Sequence, residues 1–355
     1  MTDQPKADPQ QVHAGAAWKH ARPLTACRFD PSGKYVFTGA EDNLVTRWDI
    51  ATGAATPLAA HDSWVRAIAF SPAGDTVITG GYDGRITWWP AAADKPEPIR
   101  KLDHAHSGWV RALAVSPDGS RLVSVGNDNL VKLWDLADGG LVAELAGHES
   151  HVYNVAFHPT DGTFVTCDLK CQLKQWDLAA GTPRRDVAAP SLHKYDTTFR
   201  ADIGGARSIA FSQDGKLLAL GGMTNCTNAF AGIGNIAVVL IDWESGKQIV
   251  QCEAKDKVNG LAWGLVQHPD GFWIGLAGGG GGGWFYFWKD LPAGATPATA
   301  TPATATPATA TSAQEYFKFK LPDSGRDLDL HPDNLRLAVA HADGNLRLYH
   351  LHKKA

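Results

Sequence analysis

The sequence has few cysteines, no long apolar run, little net charge and no stretch of convincing helical periodicity. Its five cysteines (27, 167, 171, 226 and 252) are odd in number and scattered over 355 residues. They form no disulfide framework and favour a reducing compartment. No run of about 18 apolar residues is available to span a membrane. The opening MTDQPKADPQQ also lacks the apolar segment of a secretory signal. A soluble, cytoplasmic protein is expected. A net charge of −4 leaves no global basic field, so neither nucleic acid nor a membrane is an expected partner.

Catalytic signals are equally scarce. No activated nucleophile or paired acid and base stands out. The six glycines 278–283 are not followed by the Lys-Ser/Thr and helix of a phosphate loop, and they read as a flexible turn. Cys167, Cys171, His151, His104 and His106 match no common zinc spacing; a buried Cys167 and an ordinary Cys171 are the simpler reading. No cofactor, no metal and no enzymatic activity are expected.

What the chain does have is a repeat. Four stretches end alike: TGAEDNLVTRWD (38–49), TGGYDGRITWWP (79–90), SVGNDNLVKLWD (124–135) and TCDLKCQLKQWD (166–177). His20, His61, His106 and His148 each lie eighteen residues before Thr38, Thr79, Ser124 and Thr166. Trp48, Trp89, Trp134 and Trp176 follow those residues by ten. Within a unit, short apolar runs alternate with tight-turn sequences such as DPSG, SPAG and SPDG. Each unit therefore predicts a four-stranded antiparallel sheet.

The Gly147-His148 dipeptide, the Ser/Thr-Gly-x-x-Asp turns and the terminal Trp-Asp resemble the WD40-repeat family. The resemblance implies an all-β, seven-bladed propeller, with an N-terminal strand closing the last blade so that no sheet edge is left open. Residues 11–355 form that single propeller after a flexible tail at 1–10, with a low-complexity loop at 292–314 inside blade 6. Three later units are worn. Leu220 and Ile241 replace Ser/Thr and Trp in blade 5, where Asp202 takes the His place. Blade 6 has Leu276 and keeps Trp288; blade 7 keeps Asp343 and puts Tyr349 at the Trp place.

In this family the His, Ser/Thr, Trp and Asp of a blade form a hydrogen-bonded chain, here assigned to His20, Thr38, Asp42 and Trp48, to His61, Thr79, Asp83 and Trp89, and to His106, Ser124, Asp128 and Trp134. Such sets resemble catalytic triads, but repetition at fixed spacing marks them as structural. Blade 4 has His148, Thr166 and Trp176 with Lys170 at the Asp place, so its chain is expected to be incomplete. Blades 5–7 are expected to rest on apolar packing, making the N-terminal half the more rigid.

The resemblance also places certain residues on the top face around the central channel. The fifth residues after the His places are Thr25, Arg66, Arg111, Tyr153, Arg207, Asn259 and Arg326. Near them fall Trp64, Trp109 and His151, then Glu41, Tyr82, Asn127, Leu169 and Ala342. Arginine suits carboxylate and phosphate forks, and Trp and Tyr suit interface anchoring. Either each arginine pairs with an acid on a neighbouring blade, or the set is a site for a partner protein or peptide segment, acidic or phosphorylated. The residues assigned to that site are Trp64, Arg66, Tyr82, Trp109, Arg111, Asn127, His151, Tyr153, Arg207, Asn259 and Arg326. Two long insertions, 190–205 and 223–235, are expected to rise beside Arg207. The repeated ATPAT stretch at 295–311 reads as a neutral spacer. The rival reading is an enzyme or small-ligand binder using the channel, where Asp327 and Asp329 alternate on one strand and face one side. A monomer is the default.

Overall fold

In the computed structural model, residues 6–228, 233–256, 258–289, 291 and 311–354 are described. Seven four-stranded antiparallel sheets follow one another around a ring, each contacting the next through its innermost strand. Blade 2 is representative, with strands Val65–Phe70, Thr76–Gly81, Ile86–Pro90 and Arg100–Leu102. The second strand of each blade is almost wholly buried between neighbours, which accounts for its continuous apolar run. Among the described residues no helix is long and apolar enough to cross a membrane.

The ring closes as expected. His13–Lys19 pairs antiparallel with Asn345–His350 and becomes the outer strand of blade 7. Part of the stretch expected as a flexible tail packs against the last blade. The Asp8 amide donates to the Leu351 carbonyl at 2.5 Å, and Pro9 is buried. Residues 1–5 and most of the ATPAT stretch, 292–310, lie outside the described residues. The end of the expected low-complexity loop is a strand: Thr311–Gln314 pairs parallel with Lys247–Glu253 and adds a fifth strand to blade 5. Phe317–Leu321 then completes blade 6.

Blades 2 and 3 hold the expected polar chain. Trp89 Nε1 donates to Thr79 Oγ1 at 3.0 Å, Thr79 meets His61 Nε2 at 2.9 Å, and His61 Nδ1 faces Asp83 at 3.2 Å. The corresponding distances through Trp134, Ser124, His106 and Asp128 are 2.8, 2.7 and 2.9 Å. Burial alone would raise the Asp83 and Asp128 carboxyls. Bonds from the imidazoles and from nearby backbone amides outweigh it and hold both below the usual range.

Four other blades correct the expectation. In blade 4 the chain is complete, because Asp168 and not the residue at position 170 supplies the carboxylate: Asp168 Oδ2 lies 3.1 Å from His148 Nδ1. His148 Nε2 meets Thr166 at 2.7 Å, and Trp176 donates to Thr166 at 2.8 Å. The equivalent positions in blades 2 and 3 are Gly81 and Gly126. A Cβ there would stand 2.6 and 2.7 Å from the Nδ1 of His61 and His106, so a side chain at this position points straight at the imidazole. In blade 1 the position is Ala40, which is buried. His20 meets Asp42 through Nε2 at 2.8 Å, and its expected link to Thr38 is not formed, although Trp48 still donates to Thr38 at 2.9 Å.

Blade 7 rebuilds a shorter chain from the same position. His341 Nδ1 donates to the Asp323 carbonyl at 3.0 Å, and its Nε2 meets the Tyr349 hydroxyl at 3.1 Å. Apolar packing is therefore not the only support there. In blade 6 the strand register puts Phe287, not Trp288, at the Trp place: Phe287 lies opposite Ile274 as Trp48 lies opposite Val36. The indole N–H of Trp288 is buried without a partner. Cys171 is as buried as Cys167, and Cys27, Cys167, Cys171 and Cys252 are free.

Candidate functional site: an arginine-lined channel mouth

The innermost strand of six blades contains a β-bulge near its start. The register slips between Leu24 and Ala26, Val65 and Ala67, Val110 and Ala112, Val152 and Asn154, Ala262 and Gly264, and Gly325 and Asp327. The unpaired residues are thus Thr25, Arg66, Arg111, Tyr153, Trp263 and Arg326. A bulge re-aims the side chain it carries, and here it turns a residue of an otherwise apolar strand toward the channel mouth. In blade 5 the strand begins at Ser208, and Arg207 just before it occupies the same level, its amide bonded to the Gly221 carbonyl at 2.8 Å.

A second repeated bond sets the rim. Tyr82 N–H donates to the Trp64 carbonyl at 2.8 Å, Asn127 to Trp109 at 3.0 Å, and Leu169 to His151 at 2.9 Å. These bonds bring the loop before the first strand against the turn between the second and third. The stretch HDSWVRAIAF therefore puts Trp64 on the rim and Arg66 in the mouth, with the remainder of the strand in the core.

The mouth leads to a cavity of about 390 Å³, lined among others by Arg28, Arg66, Arg111, Arg207, Tyr82, Trp109, Tyr153, Trp263 and Asp327. The cations are held in different ways. Arg111 lies between aromatic faces, its guanidinium carbon 4.3 Å from the Tyr153 ring centre and 4.4 Å from that of Trp109. Its Nε donates to Asn127 Oδ1 at 2.7 Å, and its other nitrogens reach the hydroxyls of Tyr82 and Tyr153 at 3.3 Å. Arg66 donates to the carbonyls of Thr25 and Arg326 and lies over Trp263. Arg207 lies over Tyr153, its guanidinium carbon 4.5 Å from the ring centre, and its Nη1 is buried with no hydrogen-bond partner. Burial, with Arg111 and Arg66 adding repulsion, holds this guanidinium below the usual arginine range. Among the described residues none of the three forms an ion pair with a carboxylate. Among the described lining residues the one acid, Asp327, is taken by Arg28 at 2.7 Å.

Not all the expected residues gather there. Arg326 is bulged like the others but pairs with Glu41, the bland alternative realised at one position. Asn259 does not reach the mouth; its backbone bridges Asn235, and Trp263, four residues on, takes the level assigned to it. Trp64 and His151 stand on the rim outside the cavity lining. Trp64 stacks on Tyr82 at 6.1 Å, and Tyr82 lies flat on Trp109 at 4.0 Å. Trp64 and Trp109 remain 42% and 40% exposed, an open aromatic ladder. His151 meets the Asn129 side chain at 3.2 Å.

Arg28 and Trp263 were missed from sequence. A charge in CRF, an innermost strand otherwise apolar, was the available signal for Arg28. Trp263 required the bulge register. The first insertion forms a hairpin, His193–Asp196 with Ala201–Gly204, and Lys194 Nζ reaches the Cys226 carbonyl of the second at 3.1 Å. They stand side by side beside blade 5, yet among the described residues neither lines the cavity. Part of the second, 229–232, lies outside the described residues. Asp327 and Asp329 do face one side, accepting from the backbone amides of Cys27 at 3.1 Å and Phe29 at 2.8 Å.

The family model for the WD domain, G-beta repeat, matches residues 17–49, 55–90, 96–135 and 139–177. These are the four blades whose third strand ends in the repeated tryptophan; blades 5 to 7 continue the same architecture with altered residues. No curated protein matches the chain. With four repeats matched inside a closed ring of seven blades, the chain carries WD40 repeats in a seven-bladed β-propeller.

Proposed function

We propose that this propeller is a non-catalytic interaction scaffold whose top face binds an acidic segment of a partner protein. WD40 propellers generally bind other proteins, but fold alone names no site. The observation that carries the reading is the trio Arg66, Arg111 and Arg207, which lines one cavity without a carboxylate partner. Cations left unneutralised in a partly desolvated mouth favour an incoming anion. The half-exposed Trp64 and Trp109 beside them supply apolar anchorage. The free, buried thiols of Cys27, Cys167, Cys171 and Cys252 suit the reducing environment of a cytoplasmic protein.

The test is fluorescence anisotropy with matched acidic, neutral and basic peptide pools, at rising salt. The acidic pool is expected to bind selectively and to weaken with salt. Arg111→Ala is expected to cost about tenfold or more in affinity, roughly 1.4 kcal/mol. Equal binding of the neutral pool, or an unchanged Kd in the variant, overturns the reading. Saturable binding of an uncharged small molecule in the channel would instead favour the small-ligand alternative.

A further inference from the structure

We infer that the cavity receives a phosphoryl group, carried on a phosphorylated side chain of the partner segment. This rests on the reading of the top face as an acidic-segment site and names the group that enters it.

The first argument is charge. Four arginines and one carboxylate line the cavity, and the carboxylate is already paired with Arg28. Three guanidiniums are left without a counter-ion. A carboxylate brings one negative charge; a phosphate monoester brings about 1.5 to 2 at neutral pH, with three terminal oxygens. The second argument is direction. Arg66, Arg111 and Arg207 come from blades 2, 3 and 5, so they approach from different sides of the channel and not in one plane. A planar carboxylate offers two oxygens to one fork, whereas a tetrahedral group offers an acceptor to each of several forks.

The third argument is Arg207 itself. Its Nη1 is buried without a hydrogen-bond partner, which is costly for a folded protein to maintain. Tyr153 covers its face and that of Arg111. Rings neutralise the faces while leaving guanidinium edges for an anion. A volume of about 390 Å³ admits a side chain and its phosphoryl group. The flat Tyr82–Trp109 stack and exposed Trp64 at the rim fit an apolar residue next to the modified one. The source is therefore assigned to a peptide and not to free phosphate.

The experiment uses the full chain and three short peptides, each with one central residue between two phenylalanines: phosphoserine, glutamate or serine. Inorganic phosphate and acetate at matched ionic strength serve as the small-anion arms. The phosphoserine peptide is expected to bind at least about tenfold more tightly than the glutamate peptide. Arg207→Met keeps the packing against Tyr153 and removes the charge. It is expected to abolish that preference and, because a buried guanidinium nitrogen without a partner is removed, to raise the melting temperature of the free protein by about 2 °C. A merely structural arginine would give a fall. Arg121→Gln, which alters the ion pair with Asp135 outside the cavity, controls for loss of surface charge.

Equal binding of the phosphoserine and glutamate peptides overturns the phosphoryl assignment while the acidic-segment reading survives. Stabilisation by inorganic phosphate with no phosphopeptide binding overturns the peptide source. A lower melting temperature in Arg207→Met makes that residue a structural one and removes the third argument with the assignment. If neither anionic peptide binds, both readings fail together.

Discussion

Asp168 lies two residues before the position that Asp83 and Asp128 occupy in their repeats, yet its carboxylate meets the same imidazole nitrogen. Both Asp168 and His148 are almost fully buried, so removing the acid strands a polar ring in the core. Asp168→Ala is expected to cost about 2–3 kcal/mol, and Lys170→Ala less than about 0.5. Urea denaturation of the two variants checks the ranking, and the reverse order would return the role to position 170. The lesson is general to close approaches. In blades 2 and 3 the residue facing the imidazole is glycine and the acid comes from the turn, whereas in blade 4, whose turn carries lysine, that residue is the acid itself.

The element that makes the site is the bulged first strand. Without the bulge, period-two alternation would bury the residues at the Arg66 and Arg111 positions or send them to the other face. With it, four blades deliver arginine, tyrosine or tryptophan to the cavity. Blade-to-blade differences also predict dynamics. Blades 2, 3 and 4 hold complete Trp–hydroxyl–His–Asp chains and blade 7 a shorter one, while blades 5 and 6 have Leu220, Ile241, Leu276 and Phe287 at those places. Inner-strand amides of blades 5 and 6 are therefore expected to exchange faster than those of blades 2–4. Hydrogen exchange by mass spectrometry measures this directly, and uniform protection around the ring would refute it. The expectation of a rigid half and a loose half is thereby narrowed to two blades. The parallel strand Thr311–Gln314 on blade 5 gives the chain a tether there that the repeat pattern did not foreshadow.

At the scale of the whole molecule, the ring closes in blade 7, and two opposed titrations sit in that blade. Burial pushes the Asp329 carboxyl up to about 6, against the attraction of Arg28 and the Phe29 amide. Burial, helped by Arg347, drives His341 down to about 4. A carboxyl whose folded value is raised loses stability as pH climbs from about 4 to 6, because the unfolded chain ionises first. A histidine whose folded value is depressed gains stability as pH climbs through nearly the same window. In the wild type the two slopes oppose each other. Asp329→Asn is expected to steepen the rise of stability with pH relative to wild type, and His341→Gln to tilt it downward. Each change is expected to reach up to about 3 kcal/mol across the window. Denaturation at pH 4, 5, 6 and 7 tests this, and variant curves parallel to the wild type would exclude it.

How much was legible in the sequence follows from which constraints are local. Histidine, Ser/Thr and Trp at constant offsets, with Pro–Gly turns between apolar runs, determined strands, repeat length and four blades directly. The worn blades and the closing N-terminal strand followed because every blade must bury both faces and leave no edge open. Arg66, Arg111 and Tyr153 were found because the resemblance carries one position from repeat to repeat, where a bulge at constant offset sits; Arg207, which has no bulge, was found by aligning its strand. Tertiary structure alone decided which of those residues share the cavity. A one-residue register difference separates Phe287 from Trp288, and a shifted loop separates Trp263 from Asn259. Arg326 has an acid within reach, while Arg207 has none. Whether a side chain meets a neighbour depends on distances across blades hundreds of residues apart, and sequence spacing within one repeat does not contain them.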